Sequence, residues 1–299
     1  MATLPTVRPG HGHAYGRAIR RERGACSTFQ RVETAPSTES PFYEPAAGAP
    51  LPHEDAVATG GVDRPRGERA GALGEVLLCS GFPTQLLIGQ VLALGGWSPF
   101  THAGVPQAGP LFALALTDTF VLLLLIAVLQ RARGETMGGL LLGGRSIRRD
   151  AWFGVALVPA LFLAVGVTVL TLRQLFPWLH NVPANPFEQL IRTPRDAGLF
   201  SVVAIVAGGL REEVQRAFLL RRFSTHLGGP TVGLAVVSIA FGAGHIIQGF
   251  DAAVATGMLG FVWGLMYLRR GSAVGPIVSH ALYNGAQVLQ LMLVRSVPL

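Results

Sequence analysis

The sequence predicts an all-α fold, a polytopic transmembrane helix bundle of about seven spans behind a disordered N-terminal tail. Three observations predict it. Half of the 299 residues are hydrophobic, 14% are charged and the mean hydropathy is +0.44, a balance too apolar for a soluble domain. The apolar residues come in long runs separated by arginine clusters. Within the last runs, from Arg211 to Asn284, stand Glu212, Glu213, Arg216, His245, His280 and Asn284. An ionisable side chain near the middle of a lipid-spanning helix costs roughly 2.5–3.5 kcal/mol, so such a cluster is read as functional.

Residues 1 to 70 are rich in Pro, Gly, Ser and Thr, carry nearly balanced charges and have no apolar period. They are expected to be a disordered cytoplasmic tail, in which His11 and His13 are solvated side chains rather than a metal site. The tail lacks the apolar core of a cleavable signal peptide, and a true start downstream of Met1 stays open. Seven apolar segments follow, near 73–97, 110–130, 152–172, 198–220, 230–248, 252–268 and 272–292. Residues 71–194 hold the N-terminal membrane helices and 195–299 the segment that carries the cluster. Arginines 131, 133, 145, 148 and 149 follow the second segment, 221 and 222 the fourth, and 269 and 270 the sixth. Every second loop is therefore basic, which predicts those loops and the N-terminus on the cytoplasmic side.

The net charge of +7 comes from 24 basic residues, all arginine, placed at membrane edges and in the tail without aromatic interleaving, so no nucleic-acid partner is expected. Cys26 lies in the tail and Cys79 in an apolar run, which predicts no disulfide framework.

Depth and spacing tie the polar residues into one site. Glu212 lies about nine residues before Arg221 and His280 about ten after Arg270, so at about 1.5 Å per residue both fall near the midplane of a ~30 Å core. The turn at Gly228 and Gly229 brings His245 level with Glu212 in an antiparallel pair. Glu212 and Arg216, Phe241 and His245, and His280 and Asn284 are each four residues apart, so each pair shares a helix face. The first spacing predicts an ion pair between Glu212 and Arg216, and a structural ion pair of Arg216 with Glu213 is the alternative. Glu75 and Asp118 also fall in apolar segments, but without such company, and are read as structural or helix-end groups. Gly257, Gly260, Gly264 and Gly285 are read as close-packing positions.

A carboxylate and two imidazoles can activate a water, directly or through a metal, while an amide and an arginine stabilise an oxyanion. Hydrolysis of a peptide bond in or at the membrane fits these parts. The chain has no HExxH, no Gly-flanked nucleophilic serine with a partnered histidine, and no pair of spanning aspartates.

From about residue 195 to 292 the sequence resembles the CPBP intramembrane proteases, which include the type II CAAX prenyl endopeptidases and the Abi and bacteriocin-immunity proteins. The resemblance lies in Phe241–His245, the glycine-rich GMLGFVWG run from Gly257 to Gly264, and His280–Asn284. It implies an endopeptidase acting on a membrane-associated peptide or protein, with the lipid bilayer as its medium and a bacterial cytoplasmic membrane as its expected location. It further implies Glu212 or Glu213 as base, Arg216 orienting a Glu, and Asn284 stabilising the oxyanion. His245 and His280 would hold water or, with Glu212, a zinc or other divalent metal ion. The first three spans would supply packing and a substrate gate.

The first motif departs from the family's Glu-Glu-x-x-x-Arg, because Glu212 is four residues before Arg216 instead of five. A gapless match puts Arg211 on the first Glu; the other keeps Glu212 and Glu213 as the pair and lets a local bulge absorb one residue. Two rival classes stay open: a non-catalytic immunity or scaffold protein of the same fold, and a proton-coupled transporter.

Overall fold

The computed structural model describes residues 66–296, and the regular elements among them are helices. The expectations for His11, His13, Cys26 and the tail before residue 66 lie outside the described residues. Helices α1 (Arg66–Leu78) and α2 (Phe82–Leu94) form a pair bent by 41°. The break has a local cause. Gly81 sits in the left-handed region at φ 83°, and Pro83, in the first turn of α2, has no N–H with which to continue α1. Then come α3 (Ala108–Ala132), a short α4 (Met137–Leu141) and α5 (Ile147–Leu175). Two 3-10 turns, Pro177–Leu179 and Pro186–Leu190, lead to α6 (Pro194–Val203). Thr193 and Asp196 cap α6 reciprocally, and Pro194 occupies the start of the helix, where a missing N–H does no harm.

From α6 the chain continues without a break through a π-helical segment, Ala204–Glu212, into α7 (Glu213–His226). The hairpin of α8 (Gly229–Ala243) and α9 (Phe250–Arg270) follows, with a 3-10 turn at Ile246–Gln248, and α10 (Val274–Ser296) closes the bundle. Helices α3, α5, α9 and α10 are each long and apolar enough to cross a membrane, and the bent α1–α2 pair counts as a fifth span if taken as one. Helix α8 is apolar but only 15 residues long. The fourth of the seven expected segments is the composite of α6, the π segment and α7. The fifth stops at Ala243, so His245 sits just past a helix end instead of within a span.

The bundle is built inside out relative to a soluble protein. Helix α7, although it carries Glu213, Arg216, Arg221 and Arg222, is buried from Glu213 through Leu220 and again at Arg222 and Phe223. Arg222 is fully buried and bonded to Glu75 of α1 (2.5 Å), Glu135 (2.8 Å) and Gln130 of α3 (2.9 Å), while Arg133 takes the other oxygen of Glu75 at 2.6 Å. Each of these charges has its counter-charge, which is the condition for burying it. Large apolar side chains point outward instead, among them Phe82, Leu94, Trp152, Leu163 and Leu170. In water such a surface would aggregate; against lipid it is the expected face. The chain is an integral, multi-pass membrane protein.

The π segment lies at the centre, packed against α3, α6, α7 and α10. A side chain at Gly209 would place Cβ 2.7 Å from the Ala281 Cα, so glycine is what lets α10 approach this closely. Gly260 and Gly264 likewise make room, for Phe241 and Leu234. Gly257 is in ordinary contact, and a Cβ at Gly285 would meet nothing within 4 Å, so Gly285 is not the close-packing position its spacing predicted.

Candidate active site

A cavity of about 670 Å³ opens between the π segment, α5, α8, α9, α10 and the 3-10 turn at 186–190. Glu212, His245, His280 and Asn284 all line it, together with an apolar wall that includes Val165, Ala255 and Leu259. Glu213 and Arg216 do not line it; both are buried just behind.

The two adjacent glutamates do different things. Glu213 is 2% exposed and is bonded to the Arg216 guanidinium on one side and to His280 Nδ1, at 2.7 Å, on the other. Arg216 therefore pairs with Glu213, three residues away, and not with Glu212, four away, as the helical spacing predicted. The reason is the π segment: its wider turn ends at Glu212, so that Glu212 follows a different face from the α-helix that starts at Glu213. Glu212 points into the cavity, where its Oε2 lies 3.9 Å from His280 Nε2 and its Oε1 3.7 Å from Arg211 Nη1. Two glutamates thus address the two nitrogens of one imidazole.

His280 is held on three sides. Glu213 takes Nδ1, Trp263 stacks on the ring at 3.9 Å and 16°, and Phe241 meets it edge-on at 6.1 Å. Trp263 is itself fixed by donating from Nε1 to Ser279 Oγ at 3.2 Å. Phe241 does more than share a face with His245. Its ring carries the Arg216 guanidinium at 4.3 Å, its edge meets the His245 ring at 4.9 Å, and its carbonyl accepts from His245 Nδ1 at 2.8 Å. A carbonyl can only accept, so His245 carries its proton on Nδ1 and leaves the Nε2 lone pair free. Asn284 donates from Nδ2 to the Ala204 carbonyl at 3.1 Å, which commits one amide hydrogen and leaves the second.

Histidines anchored through Nδ1 are also what metal sites use. Among the described residues, however, no three His, Cys, Asp or Glu side chains are gathered as a group that could hold an ion, the set Glu212, His245 and His280 included. The donors present do not make up a metal centre, and no step below runs through one.

What the arrangement can do follows from Glu212 and His280. A water about 2.8 Å from both Glu212 Oε2 and His280 Nε2 satisfies ordinary hydrogen-bond geometry across their 3.9 Å gap. Sequence reasoning singled out neither Trp263 nor Gly208. A Cβ on Gly208 would lie 2.5 Å from Asn284 Nδ2 and 3.8 Å from His280 Nε2. The Asn284 amide is the free end of a side chain and can swing away, so Gly208→Ala is expected to fold normally. On the hydrolytic reading proposed below it should nevertheless lower turnover about 10²-fold, because the displaced amide and the added methyl both disturb the position between Glu212 and His280. Initial rates and thermal unfolding of the variant check the two halves of that expectation.

Residues 194–286 match the family model described as type II CAAX prenyl endopeptidase Rce1-like. No curated protein and no solved structure matches the chain.

Proposed function

We propose, from the premise that residues 194–286 belong to the type II CAAX prenyl endopeptidase Rce1-like family, that the protein is an intramembrane endopeptidase. It hydrolyses a peptide bond near the C-terminus of a membrane-associated peptide or protein. The observation that carries this reading is that Glu212, His245, and the pair His280 and Asn284, from three different parts of the chain, line one cavity.

In the proposed reaction Glu212 removes a proton from a water as the water oxygen attacks the scissile carbonyl carbon, and later passes the proton to the leaving amine. His280 orients that water through Nε2, with Glu213 and Arg216 fixing the ring from behind. The second hydrogen of the Asn284 amide and His245 stand ready for the carbonyl oxygen as it gains charge, His245 donating when protonated. The apolar wall excludes bulk water and strengthens these contacts.

The test is cleavage, in detergent micelles, of a quenched-fluorescence peptide with a lipidated cysteine four residues from its C-terminus, run beside its unlipidated twin and with and without a metal chelator. Release of a C-terminal fragment by the wild type, and a loss of about 10²-fold or more in His280→Ala, support the reading. No cleavage of either peptide, or full cleavage by His280→Ala, goes against it. Loss of cleavage on chelation, restored by zinc, would go against the metal-free step. A second reading, a non-catalytic membrane partner of the same fold, is favoured by the first motif being one residue short. It predicts that the wild type binds such peptides without cutting them.

A further inference from the structure

Among the buried carboxylates that the proposed mechanism leaves unused, Asp118 is the one tied to the segment that carries Glu212. Asp118 lies on α3 with no exposed surface and accepts hydrogen bonds from Thr84 and Gln85 of α2. Its third partner is the Arg211 guanidinium on the π segment, bonded to Asp118 Oδ2 through Nη2. The same guanidinium reaches Glu212 through Nη1, at 3.7 Å. One buried cation therefore stands between two carboxylates: it is bonded to the one away from the cavity and in looser contact with the one that faces it.

The break between α1 and α2 builds the socket for this cation. A Cβ on Gly81 would lie 3.4 Å from Arg211 Nη2 and 3.2 Å from the Gln215 amide nitrogen, so the left-handed glycine that bends the span also leaves room for both side chains. Gln215 in turn donates to the Cys79 carbonyl at 2.9 Å, one of the acceptors that the broken helix exposes. The bend between α1 and α2 is thus in contact with Arg211 of the π segment and with Gln215 at the start of α7.

We propose that Asp118 is a positioning residue for the hydrolysis described above: by taking the Arg211 charge it keeps Glu212 free to hold water. The low-dielectric interior makes the partition decisive. An arginine deprived of its counter-ion there turns to the nearest remaining carboxylate, and that carboxylate is Glu212. Only the catalytic consequence rests on the proposed function. The partition of charge is testable without it.

The experiment is a thermal-unfolding cycle on the full chain in micelles, using Asp118→Asn, Glu212→Gln and their combination, with turnover of the lipidated peptide as a second readout. In the wild type Glu212→Gln is expected to shift the midpoint by less than about 1 °C, and in the Asp118→Asn background to lower it by about 3 °C or more, because Glu212 has become the partner of Arg211. Asp118→Asn should lower kcat about tenfold or more with KM within about twofold, and Asp118→Glu, which keeps the charge, should restore it. Equal effects of Glu212→Gln in both backgrounds overturn the proposal, as does wild-type kcat in Asp118→Asn. Failure of Asp118→Asn to fold where Asp118→Asn with Arg211→Gln folds also overturns it, since Arg211 would then not have turned to Glu212. A wild type that cleaves nothing counts against the hydrolytic reading, and the unfolding cycle still decides the role of Asp118.

Discussion

Glu212→Gln is expected to lower peptide turnover by about 10²–10⁴-fold, the contribution of a positioned general base, while the protein still folds. Its effect is separable from folding because Glu212 is held loosely. The side chain is 21% exposed, and its neighbours Arg211 and His280 stand at 3.7 and 3.9 Å, beyond direct hydrogen bonding. Removing its charge orphans no buried group: the Arg211 cation keeps Asp118, and the His280 ring keeps its bond to Glu213. An amide of the same shape cannot accept the proton of water at neutral pH, so the loss falls on the chemical step. Rates at saturating peptide, with the unfolding midpoint as control, check this. Wild-type rates in the variant would remove Glu212 from the mechanism.

Glu213→Ala, one residue on, is expected to fail for a different reason, through the loss of about 3–5 kcal/mol of stability, the usual result of breaking a buried ion pair from one side. Arg216 is 3% exposed and takes its charge compensation from Glu213, and His280 loses the acceptor that fixes its ring. Arg216 is also enclosed, its Cδ within reach of Gly264 and its guanidinium stacked on the Phe241 ring, so the guanidinium has no short path to water. Thermal or chemical unfolding in micelles, with the yield of monodisperse protein, measures the effect. A stable Glu213→Ala that merely turns over slowly would mean that the pair with Arg216 contributes little to the fold.

The helical architecture was legible because apolar runs of spanning length and their arginine borders leave few alternatives. So was the lining of one cavity by Glu212, His245, His280 and Asn284, because polar groups isolated in apolar segments have few places to go, although His245 reaches it from just past a helix end. His280 and Asn284 share the cavity as their spacing predicts, and Phe241 and His245 meet as theirs does. Helical spacing pointed Arg216 to Glu212 because it assumes an α-helix throughout; the one-residue shortfall of the first motif allows a local bulge, and the π segment Ala204–Glu212 lies there. Glu75 and Asp118 looked solitary because their partners Arg222 and Arg211 lie 147 and 93 residues away, contacts that a helix period cannot reveal. Trp263 read as one more aromatic of a spanning helix; only the position of α10 turns it into the floor under His280.

The division of labour between the adjacent glutamates is tested most directly on the unmutated protein. Folded wild type in micelles is treated with an apolar carbodiimide, the modified carboxyl is located by fragment mass spectrometry, and turnover is followed in parallel. The expected result is an adduct on Glu212 and none on Glu213, with peptide cleavage lost in proportion to the Glu212 modified. An adduct on Glu213 with Glu212 untouched, or complete modification of Glu212 with cleavage intact, would contradict the assignment of Glu212 as the cavity-facing base.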